Sequence, residues 1–73
     1  MPVILLFDTT HHAIWAEQLA SERGVAVQVI SAPPGARARC DIALEVLPEQ
    51  YERFAGVLQE ARIPFERHMP PAP

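Results

Sequence analysis

The sequence predicts an α+β domain in which two helices cover one face of a four-stranded antiparallel sheet. Three observations predict it. Val3 to Phe7 is an unbroken apolar run of strand length, and two segments carry apolar residues at a 3.6-residue period, each followed by a short alternating stretch. Turn-forming residues, namely Gly24, the Pro33-Pro34-Gly35 group and Pro64, separate these segments.

The first strand, Val3 to Phe7, lies between Pro2 and Asp8-Thr9-Thr10; its β-branched content and lack of polar positions suit a central strand. Asp8, Thr9 and Thr10 are three candidate N-caps, because their side-chain oxygens accept the N–H groups that a first helical turn leaves unpaired. A helix is expected from about His11 to Arg23, with Ala13, Trp15, Ala16, Leu19 and Ala20 inward and Ile14 exposed. Gly24 can take the left-handed conformation that closes it.

Val25 to Ile30 alternates and reads as the second strand, and Ser31 to Arg39 as a proline-stiffened loop. Ile42 to Leu47 is the third strand. Pro48 suits the first position of a second helix, in which Glu49 and Glu52 complement the positive dipole end. Tyr51, Phe54, Val57, Leu58 and Ala61 form its apolar stripe, and Pro64 is expected to end it by forcing Ile63 out of helical geometry. Phe65 to His68 is the fourth strand. Residues 1–68 make one domain, and 69–73 a disordered proline-rich tail.

The resulting βαββαβ order predicts a ferredoxin-like two-layer sandwich with sheet order 4-1-3-2, since each βαβ half crosses over right-handedly and the halves interleave. The first and third strands are then antiparallel neighbours. Asp8 to His12 and Cys40 should therefore meet at one edge of the sheet.

Composition removes several function classes. Six Arg, no Lys and nine acids give a net charge of −3, where a nucleic-acid binder carries a basic excess to neutralise phosphates. No apolar run reaches membrane-spanning length, and one cysteine rules out an internal disulfide framework. The chain reads as cytoplasmic, with neither membrane nor nucleic-acid partners. No acid/base pair, phosphate loop or nucleophile triad can be assembled, which argues against an independent enzyme.

The chemistry-bearing residue is Cys40, between Arg39 and Asp41 where loop becomes strand. A free cysteine is frequently a small core residue, but these neighbours do not resemble a core, so an exposed or half-exposed thiol is expected. A helix N-terminus and nearby cations lower a thiol pKa, and Arg37, Arg39, His11 and His12 are the candidate cations. Asp8 and Asp41 act in the opposite sense, so the direction of the net shift is not fixed by the sequence. His11, His12, Cys40 and Asp8 also offer zinc or copper ligand types. Adjacent histidines diverge at a helix start and no Cys-x-x-Cys is present, so no metal or other cofactor is assigned.

At these residues the chain resembles a family of small bacterial selenium/sulfur carrier-like domains. The matching positions are Phe7, Thr9, Thr10, His11, Ala13, Ala16, Glu17, Gly24, Pro33, Cys40, Ala43 and Leu44. Two positions depart: Asp41 replaces the family's Gly after the cysteine, and Pro34 replaces an Arg whose charge Arg37 and Arg39 can supply. The resemblance implies a persulfide or selenopersulfide carried on Cys40, with Thr9, Thr10 and His11 lining its rim. Its partners would be a donor and an acceptor protein.

The competing expectation is a non-catalytic interaction or regulatory module. The open sheet face would be apolar at the first strand and extended by Ile30, Ala43 and Leu47, fit for a homodimer or for docking on a larger protein.

Overall fold

A computed structural model describes residues 2–33 and 41–68. The elements are β1 (Val3–Phe7), α1 (Thr10–Glu22), β2 (Val27–Ser31), β3 (Ile42–Val46), α2 (Pro48–Glu60) and β4 (Phe65–His68). The sheet order is β2-β3-β1-β4, the expected order read from the other edge, and all three pairings are antiparallel. The fold is α+β.

Register decides which side chains enter the core. Leu5 stands opposite Leu44 and Arg67, and Phe7 opposite Phe65, so these residues share one face of the sheet. On that face Val3, Leu5, Phe7, Leu44 and Val46 form a single buried cluster with Ala13, Ala16 and Ala20 of α1 and Phe54, Val57 and Leu58 of α2. At the β4 edge Arg67 places its guanidinium 4.8 Å from the centre of the Tyr51 ring, capping the half-buried aromatic with a cation.

The opposite face carries Ile4, Leu6, Ile30, Ala43, Glu45, Gln28, Glu66 and His68. It is less open than its sequence predicts, because Leu6 and Ala43 are buried and Ile4 and Ile30 half-buried. Leu47 is exposed at the end of β3. That residue leaves β3 to become the N-cap position of α2, with Pro48 beginning the helix.

Both helices end in the same hydrogen-bonded turn. After α1, Val25 N–H donates to Ala20 O at 2.8 Å and Gly24 N–H to Ser21 O at 3.3 Å, with Gly24 at φ +71°. This is the Schellman pattern, and it corrects the expected start of β2. Val25 is the buried residue just past the helix, and the strand begins at Val27. After α2, Ile63 N–H donates to Leu58 O at 3.0 Å and Arg62 N–H to Gln59 O at 3.1 Å. The helix thus stops at Arg62 rather than through Pro64. Arg62 holds φ +59° with a side chain, a conformation disfavoured by about 1–2 kcal/mol for residues other than glycine. Arg62→Gly is expected to raise stability by about 0.5–1 kcal/mol, read as a higher urea midpoint at unchanged m-value.

Two side chains tie α2 to the α1–β2 turn. Arg53 Nη2 donates to Arg23 O at 2.6 Å, meeting a carbonyl at the negative end of α1, and Gln50 Oε1 accepts Ala26 N–H at 3.0 Å.

Trp15 is the main departure within α1. It was expected in the core and is 38% exposed, while Ala13, Ala16 and Ala20 are fully buried. At about 100° per residue these three alanines span a narrow arc, and Trp15 falls outside it. Trp15 lies about 130° round the helix from the centre of that arc, so its position alone turns the indole away from the sheet.

Candidate functional site

The end of the sheet where β1 finishes and β3 begins is built from short-range geometry. Asp8 and Thr9 follow β1 directly, and Asp41 precedes β3, with Leu6 paired to Ala43 between the two strands. Ala32 N–H donates to Asp41 O at 2.9 Å, which fixes Asp41 against the end of β2 as well.

Of the three candidate caps, Thr9 is the one used. It is extended (φ −140°, ψ 155°), and its Oγ1 accepts His12 N–H at 3.1 Å. The same oxygen lies 3.1 Å from His12 Nδ1. When the Thr9 hydroxyl donates to Nδ1, the remaining ring proton sits on Nε2, so the cap also sets the half-buried imidazole's orientation. No acidic residue lies in the first turn of α1, whereas α2 has Glu49 there. The positive end of the α1 dipole is therefore not offset by a carboxylate within that turn.

Thr9, Thr10 and His11, the expected rim, stand together at the start of α1 and are all exposed, as are Asp8 and Asp41. Cys40, Arg37 and Arg39 lie outside the described residues. The His11 ring is 6.2 Å from that of His12 and 6.5 Å from Trp15. Among the described residues no group of three or more His, Cys, Asp or Glu is gathered as a metal-binding set, and no helix is long and apolar enough to cross a membrane.

Sequence reasoning left the cap undecided and missed the part played by His12. The signal was present in the spacing. Thr9 and His12 occupy the two positions of a capping box, with His where Glu or Gln usually stands. Thr9→Ala is expected to cost about 1 kcal/mol, with Thr9→Ser restoring most of it. Urea unfolding of the three proteins checks this.

The family model described as "Putative Se/S carrier protein-like" matches residues 3–70. The chain belongs to this family. The match takes in all six elements of the Se/S carrier-like domain, the capped start of α1 and the position of Cys40. No curated protein and no solved structure matches the chain.

Proposed function

We propose that this Se/S carrier-like domain is a ferredoxin-like sandwich that relays a sulfane sulfur or selenium atom on Cys40, between a donor and an acceptor protein, without turnover of its own. The observation that carries the reading is the pairing of β1 with β3. It brings the exposed, Thr9-capped start of α1 to the sheet end at which Asp41, the residue after Cys40, is held.

The chemistry asks little of the protein. The Cys40 thiolate attacks the terminal sulfur of a donor persulfide, the donor's S–S bond breaks, and the donor leaves as its thiolate. Cys40 then carries the atom as Cys–S–S⁻, and attack by an acceptor thiolate on the outer sulfur reverses the exchange. Selenium follows the same course through an S–Se bond. No net oxidation occurs and no general base is needed. What the carrier must do is stabilise an anion, and the N-terminal N–H groups of α1 with Arg37 and Arg39 suit that task. Thr9, Thr10 and His11 would form the rim that the partner thiol crosses. A single cysteine needing no disulfide suits a reducing, cytoplasmic setting.

Intact-mass spectrometry after incubation with a persulfide donor tests the reading. A dithiothreitol-labile gain of roughly 32 Da for sulfur, or roughly 80 Da for selenium, is expected on the native chain. An unmodified mass under conditions that persulfidate a control thiol protein would refute it.

A further inference from the structure

We propose that the free edge of β2 is a self-association surface: β2 pairs antiparallel with β2 of a second copy, about a two-fold axis through Val29, and joins the two sheets into one.

The backbone pattern supplies the first argument. In an antiparallel pair, residues alternate between those that exchange both hydrogen bonds with the neighbouring strand and those whose N–H and C=O point away from it. Ala32 N–H donates to Asp41 O at 2.9 Å, just beyond the Ser31–Ile42 pair, so the bonded phase runs through residues 32, 30 and 28. Val27, Val29 and Ser31 therefore direct N–H and C=O outward, and among the described residues nothing pairs with that edge. These three positions are symmetric about Val29. When Val29 faces its own copy, Val27 faces the second copy's Ser31, and the six outward donors and six outward acceptors of the two chains all pair.

Side chains supply the second. An unprotected strand edge is a template for further pairing, and natural edges are blunted by charge, proline or cover. The edge strand β4 follows this rule with Glu66 and Arg67, the latter set over Tyr51. β2, Val-Gln-Val-Ile-Ser, has no charge and no proline, and three of its five residues are Val or Ile. Its neutrality matters for the choice of occupant, because a strand laid against its own copy meets every charge doubled. Here there is none to repel, although the chain as a whole carries −3.

Val29 supplies the third. It lies on the helix-bearing face, in register with Leu44, yet is 40% exposed, so the helix layer stops short of the β2 edge. In the two-fold pair, Val29 and its counterpart stand side by side on that face and cover one another. The helices of both copies then lie on the same side of one eight-stranded sheet.

The test is sedimentation equilibrium on the full chain, with Cys40→Ser so that a disulfide cannot produce the mass, together with amide hydrogen exchange. The expected result is a concentration-dependent species of twice the 8.1 kDa chain mass, in which the amides of Val27, Val29 and Ser31 gain protection. Val29→Pro removes an outward N–H that the monomer does not use, which edge strands tolerate, and should weaken association at least about tenfold. Val29→Lys sets like charges opposite each other and should do the same, which keeps the test decisive if the proline variant misfolds. A monomeric mass at high micromolar concentration overturns the proposal, as does a dimer whose affinity is unchanged in Val29→Lys. Neither result bears on the proposed sulfur transfer, which is read separately as a mass gain on Cys40.

Discussion

Phe54→Ala is expected to lower the thermal midpoint by roughly 15–30 °C, or to abolish a cooperative transition, whereas Trp15→Ala should lower it by only about 4–8 °C. Phe54 has no exposed surface and is the largest fully buried side chain among the described residues, in the cluster that joins both helices to β1 and β3. Truncating a buried phenylalanine costs about 3–5 kcal/mol, from lost burial and from the cavity left behind. A 73-residue domain has roughly 4–11 kcal/mol to lose, since stability averages about 0.05–0.15 kcal/mol per residue. Trp15 is the larger residue but lies outside the core cluster and is 38% exposed, so its truncation should cost about 1 kcal/mol, the centre of the range for point mutants. Circular dichroism melts of the two variants decide the matter. Equal losses would mean that α1 packs with Trp15 inward and that the alanine arc does not face the sheet.

That pair of variants marks how far the sequence could be read. Val3–Phe7 and Phe65–His68 have their observed limits in the sequence, because prolines and turn residues set off an unbroken apolar run of strand length and a short alternating one. The strand order follows from connection handedness, and the turn at Gly24 from the ease with which glycine takes positive φ. Trp15 reads as inward on its hydrophobicity, but at about 100° per residue its angle already sets it apart from the arc of Ala13, Ala16 and Ala20, and the angle decides. The end of α2 was misread for a related reason. Pro64 is a visible stop signal, but the turn is already closed by Arg62, a residue type with no marked preference for φ +59° that is held there by the Ile63 and Arg62 amides. At the candidate site the local part was legible, in the Thr9-x-x-His12 spacing and in the antiparallel β1–β3 neighbours. Cys40, Arg37 and Arg39 belong to a connection whose two prolines, glycine and alternating arginines carry no periodic signal that fixes a conformation.

Cys40→Ser is expected to abolish acquisition and delivery of the sulfane sulfur or selenium atom while leaving the thermal midpoint close to that of the native chain. The chain has no other thiol to which the atom could transfer, so the loss should be complete rather than graded. The fold should persist because Cys→Ser replaces a single atom, and among the described residues the core cluster is assembled from β1, α1, β3, α2 and the turns that close the helices. A second measurement separates a tuned carrier thiol from an incidental one. If the α1 N-terminus and the arginines stabilise the thiolate, the pH profile of iodoacetamide alkylation should inflect below that of a model thiol peptide. Substituting Arg37 and Arg39 together by Ala should move the inflection back up. The profile is a better witness than the rate at one pH: a thiol with a lowered pKa has more thiolate near neutrality, but each thiolate is less nucleophilic, with a Brønsted coefficient of about 0.4–0.5, and the two effects partly cancel. An inflection at the peptide's value, unmoved by the arginine substitutions, would remove the electrostatic basis for the carrier. Transfer that survived Cys40→Ser would remove the carrier itself.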